Sequence, residues 1–170
     1  MASKEPGWLA FARRHIGVRE IPGPRHSPTI MGWVQKLGAK VLGIRVLDDE
    51  TAWCGTFVAM CIFSAGLTPP PIAVRASAWG AWGRELLAPR LGCVLVFTRA
   101  GGGHVGFYVG EDDSHYHVLG GNQGNAVSIT RIAKSRLAKG GMRWPIGVAL
   151  PEAQVIRLKP SGVPVTENEA

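Results

Sequence analysis

Charged residues are scarce in this chain: Asp, Glu, Lys and Arg make up 18% of its 170 residues, against 46% hydrophobic. That balance excludes a self-repelling disordered polymer and leaves enough apolar material for a real core. Long apolar runs are missing too, so no segment is expected to span a membrane. The N-terminal stretch Met1–Trp8 has no apolar h-region, and a signal peptide is not expected. Cysteine is sparse and odd in number, three in all, so no closed disulfide set is possible. Cys54 and Cys61 fall on one expected helix, about 10 Å apart along its axis, too far for a bridge. Reduced thiols and intracellular synthesis are therefore expected. Neither a Cys-x-x-Cys nor a His-Glu-x-x-His pair occurs, and there is no internal repeat.

What is present starts with a positive balance, a net charge of +7. It suits an acidic partner such as nucleic acid, anionic lipid or an envelope polymer, or serves solubility alone. Helical spacing predicts helices over 6–17, 28–37 and 52–65, each stopped by a glycine (Gly17, Gly38, Gly66), with a short helix near 77–87. Residues 39–50 give no clear reading. From Gly92 the period changes to two, and strands are expected at 93–98, 104–110, 115–119, 126–130 and 143–149, with a short basic helix at 131–139. Helices first and strands after them argue for an α+β fold: N-terminal helices packed on an antiparallel sheet of about five strands. Residues 1–150 form the expected domain, and 151–170 a partly flexible tail.

Three positions carry the chemistry. Cys54 lies in the first turn of the 52–65 helix, where the positive end of the helix dipole favours a thiolate. His104 opens a strand after Gly101-Gly102-Gly103, where a substrate can approach the backbone closely. A hairpin between the 104–110 and 115–119 strands with a five-residue loop sets Asn122 opposite His104, so Asn122 is the expected acceptor for the imidazole N–H. Cys, His and Asn in that order make a cysteine nucleophile site. Cys61 and Cys93 read as core. Trp53, beside the nucleophile, together with Asp49, Gly103 and Gln123, is expected to bind substrate. His115 and His117 alternate about Tyr116 and allow a zinc alternative with His104. Asp48-Asp49-Glu50 is a partial cation loop or a solvated rim whose spacing fits no calcium motif.

Trp53-Cys54-Gly55-Thr56-Phe57-Val58, Gly92-Cys93-Val94-Leu95-Val96-Phe97, Gly103-His104-Val105-Gly106-Phe107-Tyr108-Val109-Gly110 and Gly120-Gly121-Asn122-Gln123 together resemble the CHAP and NlpC/P60 superfamily, in its small phage-type and bacterial members, over residues 6–148. The resemblance implies a papain-like fold and a cysteine amidase or endopeptidase acting on bacterial peptidoglycan. Carried over, Cys54 is the nucleophile, His104 the general base and acid, and Asn122 the orienting residue. Many CHAP members place a glutamate two residues before that asparagine; Gly120 stands there in this chain. A phage endolysin needing no cofactor or metal is expected. It would be monomeric, made in the host cytoplasm and released onto the wall, binding neither nucleic acid nor membrane. An antibacterial effector or prophage hydrolase of the same chemistry, and a non-catalytic wall-binding module, are the alternatives.

Overall fold

The computed structural model describes residues 5–49, 51–153 and 155–169. Three helices come first: α1 (Gly7–Arg14), α2 (Pro28–Leu42) and α3 (Cys54–Ser64). A 3-10 turn at Ala76–Ala81 leads to the strands β1 (Arg84–Glu85), β2 (Val94–Arg99), β3 (Gly102–Glu111), β4 (His115–Gly120), β5 (Ser128–Ala133) and β6 (Leu137–Trp144). They form one antiparallel sheet in the order β1-β6-β2-β3-β4-β5. The α+β expectation therefore holds, with six strands. No helix among the described residues is long and apolar enough to cross a membrane.

Helix α3 is the centre of the molecule. Every residue from Cys54 to Ile62 is buried, so its apolar character runs all round rather than along one stripe. Phe57 meets Trp33 of α2 on one side and Phe107 of β3 on another, with ring centroids 5.5 and 6.5 Å away. Its burial alone is worth roughly 2–3 kcal/mol. Cys61 and Cys93 are fully buried, and burial pushes both thiols up, Cys93 to about 12. Both belong to the core, as expected.

Several boundaries differ from the expectations. Gly38 (φ 77°) interrupts α2 without ending it, and the helix resumes to Leu42 before Gly43 caps it in the left-handed region. The basic stretch 131–139 is no helix. Strand β5 runs to Ala133, a single 3-10 turn covers Lys134–Arg136, and β6 begins at Leu137. Pairing of 131–133 with β4 and of Leu137 with β2 overrides the local preference there. The expected helix near 77–87 is the 3-10 turn followed by β1.

The segment expected to be a flexible tail lies along the sheet. Leu158 N–H donates to the Glu111 carbonyl (2.9 Å) and Glu111 N–H to Ile156 (2.8 Å). Further on, Arg131 N–H donates to Pro164 and Thr166 N–H to Arg131. The first pair joins the tail to the end of β3, and the second pair occupies the edge of β5. The turn from β3 to β4 is closed by a buried charged knot: Asp112 accepts from His117 Nε2 (2.8 Å) and Arg131 Nε (2.8 Å), and its carboxyl is held far below the usual range by Arg131, with His117 adding to the effect. His115 pairs with the Ser114 hydroxyl (2.7 Å). The two histidines weighed as zinc ligands thus face this knot, away from His104.

Candidate active site

Cys54 is the first residue of α3 and only 4% exposed, at the floor of a cleft of about 560 Å³. One flank of the cleft is the segment from Val74 to Ala76, with Ser77 and Gly80 of the 3-10 turn; the other is formed by β2, the start of β3 and β6. The first flank is fixed by the end of α2, since Ala73 N–H donates to Val41 and Val74 N–H to Leu42. Trp79 Nε1–H adds a bond to the Ala73 carbonyl (3.0 Å). That segment passes so close over the start of α3 that a Cβ on Gly55 would sit 2.3 Å from the Ala73 oxygen. Glycine after the cysteine is what lets the flank close over the helix end and leave the thiol at the base.

His104, fully buried, reaches Cys54 from the start of β3. Burial by itself pushes the Cys54 thiol up. The imidazole of His104, with the backbone N–H groups of Val105 and Gly55, outweighs that, and the thiol is held below its ordinary range. Burial likewise pushes the His104 imidazole down, but Cys54, Gln123 and the charge of Glu169 bring it above its ordinary value. The two groups stabilise each other's ions.

The ring's other partner is Gln123. His104 Nε2–H donates to Gln123 Oε1 at 2.9 Å. The orientation of that amide is set independently: its Nε2 donates to the carbonyls of Val118 (3.0 Å) and Ser128 (2.7 Å). Only the oxygen is left for the ring, so the ring nitrogen facing it must carry the proton. In the neutral imidazole Nδ1 then holds the free lone pair. Buried Nδ1 makes no hydrogen bond of its own, and Cys54 is the neighbouring group to which the ring's charge is coupled.

This corrects the assignment of Asn122. The pairing of Phe107 with Leu119 and Tyr108 with Val118 continues arithmetically to His104 opposite residue 122. The strand, however, stops at Gly120, and Asn122 turns into the left-handed region (φ 58°). Its side-chain amide donates to the Glu169 carbonyl (3.0 Å) instead. Gln123, expected to touch substrate, is 2% exposed and takes the orienting place. The two glycines before it make this possible. A Cβ on Gly120 would lie 2.6 Å from Gln123 Oε1, and one on Gly121 would lie 2.7 Å from the Trp53 ring.

Two further expectations are corrected. Trp53 is 2% exposed and does not line the cleft; its Nε1–H donates to Glu20 (2.9 Å) and its ring packs beside Trp33. Asp49 is fully buried and accepts from the backbone of Ile21 (2.8 Å) and Ser27 (2.6 Å) and pairs with His26, so it fastens the 18–27 loop. Burial pushes its carboxyl up, but those bonds outweigh it and hold it below the ordinary value. Asp48 caps Thr51, accepting from its N–H and hydroxyl, and Glu50 lies outside the described residues. Gly103 lines the cleft.

Glu169 is the residue that sequence reasoning missed. It is 2% exposed, its carboxylate is bonded to Arg136 (2.6 Å) and Thr166 (2.9 Å), and its charge is felt at His104. No local pattern signals it, since an acidic residue near a chain end reads as solvated. Compared with protein-family models, curated proteins and solved structures, the chain matches none.

Proposed function

We propose that this protein is a cysteine hydrolase that cleaves an amide bond of bacterial peptidoglycan, with Cys54 as nucleophile, His104 as general base and acid, and Gln123 as the residue that orients the ring. The observation that carries the chemistry is the pairing of a thiol at a helix N-terminus with a neighbouring imidazole whose tautomer is fixed by an amide, itself fixed by two carbonyls. A binding module has no use for such a pairing. The substrate class comes from the likeness of the four motifs to the CHAP and NlpC/P60 superfamily. On this reading the helix bearing the thiol and the strand bearing the histidine are the two halves of a papain-like arrangement. A phage endolysin is the setting we favour, with an antibacterial effector or prophage hydrolase as the variant that uses the same chemistry.

The reaction is acyl transfer. His104 Nδ1 takes the thiol proton, and the Cys54 thiolate attacks the amide carbonyl carbon. Negative charge collects on the carbonyl oxygen, where backbone N–H groups at the start of α3 stabilise it. The imidazolium passes its proton to the leaving nitrogen as the C–N bond breaks, leaving a thioester on Cys54. His104 then takes a proton from water, the hydroxide displaces the thiolate, and the acid product departs. Gln123 keeps Nε2 protonated throughout, so the proton moves only on the Nδ1 side.

The decisive experiment is digestion of purified peptidoglycan by the native protein and by Cys54→Ala, with mass spectrometry of the soluble products. New amide-derived termini that vanish in Cys54→Ala, and after iodoacetamide treatment, are expected. Wild-type activity in Cys54→Ala would refute the assignment. The identity of the new termini separates amidase from endopeptidase action.

A further inference from the structure

The cleft over Cys54 has an electrostatic character that the pairing of thiol and imidazole does not require. Three charged residues line it, Arg75, Arg99 and Lys139, and all three are cations; none of its lining residues is acidic. They come from separate parts of the chain: Arg75 from the flank before the 3-10 turn, Arg99 from the end of β2, Lys139 from β6. None of the three is in an ion pair with a described residue. Their neighbours in the basic segment are neutralised, Lys134 by Glu111 (3.2 Å) and Arg136 by Glu169 (2.6 Å). Of Lys134, Arg136 and Lys139, only Lys139, at the cleft, is in no ion pair with a described residue.

Arg99 is also held in place. Its Nε–H donates to the Gly103 carbonyl (3.1 Å) and an NH1 hydrogen to Ala100 (3.2 Å), while NH2 lies over Gly102, where a Cβ would come within 3.3 Å. A guanidinium fastened to the β2–β3 turn sits beside the strand that carries His104. A planar fork with little rotamer freedom left to lose is suited to a carboxylate. Three like charges around one concave site repel each other and attract an anion, and low-dielectric cleft walls strengthen that field.

We infer that the Cys54 cleft selects a peptide carrying a free carboxylate close to the scissile amide, with Arg99 as its principal contact and Arg75 and Lys139 reinforcing the field. The inference rests on the hydrolase reading for its substrate backbone, but not on turnover for its test. In a cell wall it amounts to a preference for stem peptides whose glutamyl carboxylate is free over those in which it is amidated.

Two synthetic stem peptides test it, L-Ala-γ-D-Glu-L-Lys with its C-terminus blocked as the amide and the glutamyl α-carboxylate either free or converted to the carboxamide. Their binding to Cys54→Ala is measured by calorimetry at low and at physiological salt, so that catalysis is not needed. The free-carboxylate peptide should bind at least tenfold more tightly. Adding Arg99→Gln should shrink that ratio several-fold, and Arg75→Gln, on the opposite flank, should shrink it less. Lys36→Gln, an exposed change on α2 outside the cleft, should leave the ratio unaltered. Equal binding of the two peptides, or binding of neither, overturns the inference. So does an equal fall in the ratio with Lys36→Gln, which would reduce the effect to overall charge. Selective binding by Cys54→Ala without hydrolysis by the native protein would instead uphold the cleft's selectivity and refute the catalytic reading.

Discussion

Replacing Gly120 with alanine tests the site through a single methyl group. The backbone at 120 is the regular end of β4, so the substitution introduces no conformational strain of its own. The new Cβ would lie 2.6 Å from Gln123 Oε1, 3.0 Å from its Cδ and 3.4 Å from His104 Nε2. The Gln123 amide would have to retreat by about 0.8 Å to reach ordinary contact, stretching its 2.9 Å bond to the ring beyond hydrogen-bonding range. It cannot simply slide, because its nitrogen is tied to Val118 and Ser128. His104 then loses the acceptor that fixes its tautomer. We expect turnover on peptidoglycan to fall roughly ten- to a thousand-fold, a loss of about 1.4–4 kcal/mol of transition-state stabilisation. The assay is the initial rate of wall clearing, paired with the pH dependence of Cys54 alkylation by iodoacetamide and with thermal melting. Gly32→Ala, where a Cβ meets nothing within 4 Å, is the control and should leave all three unchanged or slightly improve the melt. If Gly120→Ala melts like the native protein and keeps both its rate and its alkylation profile, Gln123 does not orient His104.

Asn122→Ala should cost much less activity than Gln123→Ala, since Asn122 holds the Glu169 backbone and not the ring; comparison of the two rates checks this. Gln123→Glu should not restore function, because a carboxylate oxygen would face the Val118 and Ser128 carbonyls that now accept N–H bonds, and a lowered melting temperature should accompany the loss. Activity against pH should rise as the lowered Cys54 thiol ionises and fall as the raised His104 imidazolium deprotonates. Glu169→Gln, by removing a negative charge felt at His104, should shift that alkaline limb to lower pH in a rate–pH profile. Asp112 has a depressed folded value, so its contribution to stability is complete above the ordinary carboxylate range and fades as pH falls through the folded value; Asp112→Asn should melt lower at neutral pH and lose much of the acid-side dependence, as followed by circular dichroism.

The succession of three helices and then a sheet, the change of period at Gly92 and the glycines that follow α1 and α3 are local matters, and the chain states them openly; the behaviour of Gly38, which interrupts α2 without ending it, is not. The thiol in the first turn of α3 and the histidine at the start of β3 are local too, because both depend on residues within a turn or two of their position. Burial of Cys61 and Cys93 follows from the same apolar spacing. The identity of the third site residue does not. Strand arithmetic leads to Asn122, and it fails because two glycines end β4 and let the next three residues fold back, a steric outcome set by Trp53, Phe57 and the Gln123 amide meeting in space. Trp53 stands next to the nucleophile in sequence but packs beside Trp33, and Asp49, a few positions before it, is buried by its bonds to the 18–27 loop. Glu169 reaches the site from 65 positions beyond His104 only because the edge of β5 captures the tail through backbone hydrogen bonds, which no side-chain pattern announces. Residue type and period determined where the reactive groups lie along the chain. Which polar atoms face them, and which cations stay unpaired around the cleft, was decided by the packing of distant segments, where each buried polar group takes the partner that geometry brings within reach.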